Sequence, residues 1–377
     1  MKMPSSLRTL LSVLLKDGLY VSIIKGILKQ LGLFCLGAIA VGLVRLFLLP
    51  GGTRRRKRLS YLIANFGKPG KNLPPIPPTS KLSEIVTRVM GLNPGTFTLQ
   101  GSNTYVVGTG SQRILIDTGD GKNEYIQLLK KVLEDEKASI THVIITHEHE
   151  DHVGGIPNVR REFPQARIWK LTKYSLEKDP SGVPYDGKLE NGTTIHVHGA
   201  TVRAVLTPGH TADHVSLVLE EEGSIFTGDC VLGSGTAVFD DLHQYVGSLR
   251  ILLRELGVNP NTQGDDQALP RGAETKLLAG RLYPGHGLVV EDGPKKINQY
   301  ISHRQLREDQ ILNYLSTHAE APTDVAEIVD HVYADQNLSW VLRRGAKRSV
   351  IQHLFKLLKE GKVVKVGKLW QVKSHQL

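Results

Sequence analysis

The feature that most restricts the fold is a run of imidazoles interleaved with carboxylates, Thr146-His147-Glu148-His149-Glu150-Asp151-His152, closed by Val153-Gly154-Gly155. It follows directly on Ser139-Ile140-Thr141-His142-Val143-Ile144-Ile145, an apolar, β-branched run that reads as a buried strand. The polar cluster therefore stands at a strand's end. His147 and His149 are two apart and can point the same way from an extended turn, while Asp151 and His152 can serve a neighbouring position. One short loop can thus hold two metal ions. A surface loop merely rich in His and acid is the bland alternative, but the two glycines suit a tight return past a crowded site.

The same arrangement recurs along the chain. Arg113 to Ile116 ends in Asp117-Thr118-Gly119, and Val202 to Leu206 runs into Thr207-Pro208-Gly209-His210-Thr211. Ser224 to Thr227 leads to Gly228-Asp229-Cys230, and Arg281 to Tyr283 leads to Pro284-Gly285-His286-Gly287. Each time a strand stops, a Gly or Pro turns the chain and a metal-capable side chain appears. Strands that deliver ligands from one end only set those ligands along one sheet edge.

These motifs, in this order, resemble the metallo-β-lactamase superfamily over about residues 85 to 300. The resemblance implies an α/β fold, the αββα sandwich of that family. Carried over residue by residue, it makes His147, His149 and His210 ligands of a first metal and Asp151, His152 and His286 ligands of a second, with Asp229 as the bridging carboxylate. Asp117 matches the carboxylate that orients ligands without binding metal itself. Within the superfamily, Gly91 to Tyr105 and Thr227 to Leu242 resemble a glyoxalase-II-like branch containing mitochondrial β-lactamase-like endoribonucleases; a fungal branch of polyketide thioesterases carries similar wording.

His and carboxylate donors without thiolate suit two Zn²⁺ per chain, with Mn²⁺ or Fe²⁺ as alternatives. Two ions about 3.5 to 4 Å apart can share a water, lower its pKa towards about 7 and aim the resulting hydroxide for in-line attack. That chemistry fits phosphodiesters, thioesters and other activated acyl bonds. In this set Asp151, Asp229 and Asp117 are the carboxylates expected to serve catalysis. Among the remaining histidines, His214 is the one expected to support a ligand from behind. Cys230 reads as a small packed residue, and with Cys35 it is too little for a disulfide framework, which fits a reducing compartment.

Charge separates the chain into three parts. Residues 1–60 hold eleven Lys or Arg against one acid, residues 340–377 hold ten against one, and the stretch between is net acidic although the whole carries +10. Leu31 to Leu49 is apolar except for glycine and Arg45, and Arg54-Arg55-Arg56-Lys57-Arg58 follows. Residues 1–60 are therefore expected to form a membrane anchor, an apolar helix spanning about 31–49, or a mitochondrial targeting segment. The expected location is a membrane, mitochondrial and matrix-facing or cytoplasm-facing. Residues 61–84, with Pro74, Pro75, Pro77 and Pro78, read as a stiff linker to the catalytic domain.

Residues 301–377 read as a basic winged-helix-like domain. Helical apolar spacing runs from Ile297 to His318, Thr323 can cap a second helix carrying Val325, Ile328, Val329 and Val332, and a third runs from about Lys347 to Glu360. Lys362 to Val372 alternates about Gly367 as a hairpin would. Arg343, Arg344, Lys347 and Arg348 are the expected nucleic-acid contacts, since phosphate neutralisation dominates such binding; a cationic face that only contacts the acidic body is the competing reading. Two functions follow: an endoribonuclease cleaving single-stranded RNA, or a thioesterase or glyoxalase-II-like hydrolase acting on acyl thioesters.

Overall fold

A computed structural model describes residues 73–172, 185–259, 279–334 and 340–373. The anchor or targeting segment expected at 1–60, with its apolar stretch 31–49, lies outside these residues. Among the described residues no helix is long and apolar enough to cross a membrane. The described residues divide into two units, one up to residue 189 together with 197–200, the other 190–196 together with those from 201 onward.

The first unit is built on a seven-stranded sheet in sequential order, β1 (Thr79–Lys81), β2 (Val86–Met90), β3 (Asn103–Val107), β4 (Gln112–Ile116), β5 (Ser139–Ile145), β6 (Arg167–Leu171) and β7 (Gly187–Leu189). The first four pair antiparallel and β4 to β7 run parallel. Parallel central strands covered on both faces need continuous apolar runs, and Val143-Ile144-Ile145 is wholly buried. The first connection is helix α1 (Asn123–Asp135), whose Tyr125, Ile126, Leu129 and Leu133 fall at helical spacing and are buried. They share a core with Val106, Leu115, Val143 and Ile168 of the sheet. Truncating Leu129 to Ala would cost about 2–5 kcal/mol. Two short helices follow the His147 loop, α2 (Glu150–Val153) and α3 (Ile156–Glu162).

The linker expected to reach residue 84 ends earlier. Thr79 to Lys81 pairs in register with Val89 to Thr87 as an edge strand. Three residues are too few to show a strand's alternation, and an edge strand tolerates the prolines just before it.

The second unit carries a five-stranded sheet in the order β12 (Leu282–Pro284), β11 (Ser224–Gly228), β10 (Val215–Leu219), β9 (Ala200–Leu206) and β8 (Thr194–Val197). Because β9 and β11 both pair antiparallel with β10, and β12 pairs parallel with β11, the chain leaves β9, β11 and β12 at the same sheet edge. Helix α4 (Leu242–Glu255) buries Tyr245, Leu249, Leu252 and Leu253 against Val205, Val218 and Ile225 of this sheet.

The same unit continues into the C-terminal module through α5 (Gly293–Thr317), α6 (Val325–Val332) and α7 (Trp340–Lys359), followed by the hairpin β13 (Val363–Val366) and β14 (Leu369–Val372). Three helices and a hairpin wing enclose a small core of Ile311, Leu315, Ile328, Val350, Leu354, Leu357 and Trp370. The cap of α6 is Asp324, whose carboxylate accepts Ala326 N–H at 2.7 Å. Thr323, the expected cap, instead exchanges backbone hydrogen bonds with Trp370 and ties the helices to the wing.

Candidate metal centre

In the first unit the parallel neighbours β4 and β5 release Asp117 and the His147 loop at one edge, as the sequence implies. Asp117 is buried and sits at φ +59°, a left-handed conformation that Asp tolerates better than bulkier residues. Its Oδ1 accepts Thr146 N–H at 2.8 Å, and its Oδ2 accepts Thr146 Oγ–H at 2.8 Å and His152 Nδ1–H at 2.7 Å. A carboxylate can only accept here, so the proton of neutral His152 is fixed on Nδ1 and the lone pair of Nε2 is turned outward. That Nε2 lies 3.2 Å from Asp151 Oδ2.

His147 is oriented by the same network. Thr146 gives its hydroxyl hydrogen to Asp117, so its oxygen accepts from His147 Nδ1–H at 3.0 Å. His147 Nε2 then faces His149 Nδ1 at 3.1 Å. Two nitrogens bound to one tetrahedral Zn²⁺ would stand roughly 3.3 Å apart, so this spacing fits a shared ion. The glycines after the loop are required by contact: a Cβ on Gly155 would lie 1.9 Å from Thr118 O, and one on Gly154 2.6 Å from Glu150 O. Thr118 at that point donates both its N–H and its hydroxyl to His152 O, at 2.9 and 2.7 Å.

In the second unit β9, β11 and β12 deliver His210, Asp229 and His286 from their shared edge. Asp229 Oδ2 lies 3.7 Å from His210 Nε2 and 3.3 Å from His286 Nε2, so one carboxylate oxygen stands between two imidazoles, the disposition a bridging ligand needs. His210 Nδ1–H donates to Val238 C=O at 2.7 Å, which makes the Nε2 lone pair the one that can bind a metal ion. His214, fully buried, accepts Asp229 N–H on Nε2 at 3.2 Å and gives Nδ1–H to Thr207 Oγ at 2.8 Å. It thus supports Asp229 from behind, as expected. Cys230 is fully buried and burial pushes its thiol well above the ordinary range, so it packs rather than ligates.

The His and Asp donors are of the kind that can hold a divalent metal ion. The donor set is hard and nitrogen-rich, and three of its imidazoles have Nδ1 committed to a second partner, which is how metal-ligating histidines are ordinarily held.

Two contributors escaped the sequence. Ser102 donates its hydroxyl to Asp151 Oδ2 at 3.1 Å, and Asn93 grips Ser102 through Oδ1 to N–H and Nδ2 to Oγ, at 2.8 and 3.0 Å. The carbonyl of Val238 is the other. Both belong to the two passages that carry the branch resemblance, but letters alone do not say which residue aims at which ligand.

The basic residues expected to meet nucleic acid lie on α7. Arg343, Lys347 and Arg348 are exposed; Arg343 pairs with Asp330, and Arg348 Nη2 meets Asp240 Oδ1 at 2.7 Å. The side chain of Arg344 lies outside what is described. Lys365 and Lys368 are exposed on the wing.

A sequence model of the metallo-beta-lactamase superfamily matches residues 97–286, and one of the beta-lactamase associated winged helix domain matches residues 325–370. The "Beta-lactamase-like protein 2 homolog" of Caenorhabditis elegans is 42% identical over 289 residues, 76% of this chain and 89% of that protein. The "Atrochrysone carboxyl ACP thioesterase" of Aspergillus fumigatus is 40% identical over 247 residues, 65% of this chain and 70% of that protein. Among solved structures, a beta-lactamase domain protein from Burkholderia ambifaria shares the fold at 19% identity and TM-score 0.60, over 78% of this chain and 93% of that one.

Proposed function

This chain belongs to the metallo-beta-lactamase superfamily, and from that membership we propose that it is a metal-dependent endoribonuclease acting on single-stranded RNA. The observation that carries the metal part of the reading is Asp229 Oδ2 set between His210 Nε2 and His286 Nε2. In this proposal His147, His149 and His210 would hold a first Zn²⁺, Asp151, His152 and His286 would hold a second, and Asp229 would be the carboxylate they share. When bound, the ions supply Lewis-acid charge and a water acidified toward neutral pH.

The chain's own residues perform the rest. Asp117 and Val238 keep the proton of His152 and of His210 on the nitrogen that faces away from the metal. Asn93 and Ser102 hold Asp151 in one orientation. Substrate class rests on the C-terminal module, where Arg343, Lys347, Arg348, Lys365 and Lys368 are exposed on a winged-helix frame. Such a face favours a partner in proportion to the phosphates it presents, and single-stranded RNA presents more than an acyl-CoA or S-lactoylglutathione. The Arg348 guanidinium is itself well exposed, so its remaining N–H groups can meet a phosphate while Nη2 keeps Asp240.

The thioesterase reading stays as the second, because a fungal relative of 40% identity is named for cleaving an acyl carrier thioester. The full chain should be incubated in parallel with single-stranded RNA and with acyl-CoA or S-lactoylglutathione. RNA cleavage that chelation abolishes, and that His149→Ala and Asp229→Ala remove, is expected. Thioester turnover beside intact RNA would reverse the ranking. A location at a mitochondrial or other membrane remains part of this proposal, through residues 31–49.

A further inference from the structure

The ligand His210 is steered by a carbonyl, that of Val238, and the segment carrying this carbonyl is exposed at Val238. What fixes it lies on either side. Before it, Arg304 of α5 donates to Ala237 O at 3.1 Å and lies over the Phe239 ring at 4.9 Å. After it, Asp240 and Asp241 both donate their N–H to Gly209 O, at 2.8 and 3.1 Å, closing the segment onto the residue before the ligand. Asp241 also caps α4 by accepting Gln244 N–H at 3.1 Å.

Both of these carboxylates are gripped by the C-terminal module. Arg348 Nη2 reaches Asp240 Oδ1 and Lys359 Nζ reaches Asp241 Oδ2, each at 2.7 Å. The two cations sit three turns apart on α7, roughly 16 Å of helix, and hold two consecutive residues. A two-point attachment of this kind resists rotation of the segment as well as its displacement. Burial alone would raise the Asp241 carboxyl, but Lys359 and Gln244 outweigh it and hold it down at about 2, so the Lys359–Asp241 point of attachment stays an ion pair at neutral pH.

We propose that Arg348 and Lys359 are positioning residues for the ligand His210, acting through Asp240 and Asp241 on the Val238 carbonyl, so that the C-terminal module tunes the affinity of the metal centre. The inference goes beyond the substrate reading and needs only that His210 binds metal.

The test is Zn²⁺ affinity of the full chain, read by competition with a chromophoric chelator at low and high salt, with no RNA present. The double variant Arg348→Gln with Lys359→Gln should bind one of its two metal equivalents about three- to tenfold more weakly at low salt. Raising the salt should weaken the unaltered chain toward the variant and leave the variant unchanged, because these pairs are exposed enough to be screened. The exchange Arg348→Asp with Asp240→Arg should recover affinity that Arg348→Asp alone loses. Equal affinity and equal salt dependence in variant and unaltered chain would overturn the proposal, and so would a loss at both equivalents that the exchange does not recover. Failure of the unaltered chain to bind metal would overturn it together with the metal centre, whereas tight metal binding with intact RNA overturns only the nuclease reading.

Discussion

Replacing Asp117 by Asn isolates what a single proton position contributes to the centre. The substitution is isosteric, and Asn tolerates the φ of +59° found at this site. The amide can place its oxygen against Thr146 N–H, as the carboxylate does now at 2.8 Å. Its NH₂ then faces Thr146 Oγ and His152 Nδ1, the two atoms 2.8 and 2.7 Å from Oδ2. Thr146 can rotate its hydroxyl to accept. His152 can accept only by moving its proton to Nε2, which removes the lone pair offered to metal. Keeping the ligating tautomer instead leaves two buried donors facing each other, a cost of about 1–3 kcal/mol. At 1.4 kcal/mol per decade, that corresponds to roughly five- to somewhat over a hundredfold in affinity. The fold should survive, since neutral hydrogen bonds replace charge-assisted ones at a cost of about 1–2 kcal/mol. Zn²⁺ competition on the metal-free protein should show one equivalent weakened by that factor, while urea unfolding of the metal-free chain stays cooperative. Two equivalents bound as tightly as in the unaltered protein would refute the tautomer argument.

Three further outcomes are expected. Gly155→Ala drives a methyl to 1.9 Å from Thr118 O, which cannot retreat without disturbing the His152 loop; urea titration should show a loss of about 3 kcal/mol, and a neutral substitution would show that the contact relaxes. His353 is fully buried, neither ring nitrogen has a hydrogen-bond partner among the described residues, and burial reinforced by Arg304, Lys356, Arg307 and His303 depresses it to about 3. Unfolded, it takes up a proton near pH 6.5, so its contribution to stability is complete above about pH 6.5 and is lost progressively toward pH 3, on the order of 5 kcal/mol in all. The difference in unfolding free energy between the unaltered chain and His353→Leu should change with pH across that window, and a flat difference would count against the buried neutral state. Neutralising Arg343, Arg344, Lys347 and Arg348 together should weaken RNA binding and reduce the slope of log K against log salt by about 2 to 3; an unchanged slope would take the module out of RNA recognition.

The strands that carry the donors were legible because their apolar, β-branched runs stop at Gly or Pro just before a polar residue. The bounds of β5 agree to the residue with the run Ser139 to Ile145, and Asp117, His210, Asp229 and His286 follow their strands as read. What stayed hidden has no local signature. Ser102 and Asp151 are 49 positions apart, and Arg348 and Asp240 are 108 apart, so only the folded chain brings their letters together. The Val238 carbonyl has no letter at all, since every residue carries one. Thr323 and Asp324 are adjacent and both suit a cap, and tertiary pairing with Trp370 decided between them. The cationic face read on α7 is present, yet Arg348 and Lys359 are partly occupied within the chain, which composition could not reveal.

The loops bearing Asp229 and His286 are stitched by main-chain bonds: Gly285 N–H reaches Gly228 O at 2.7 Å and Gly233 N–H reaches His286 O at 2.9 Å. These stitches leave no room for a side chain at Gly233, where a Cβ would lie 2.0 Å from Leu288 O, so it is the glycines that fix the distance between these two donors, and substitutions remote from them have little purchase on it. A peptide tag spliced between residues 260 and 278 should accordingly leave the spacing of the pair where it is.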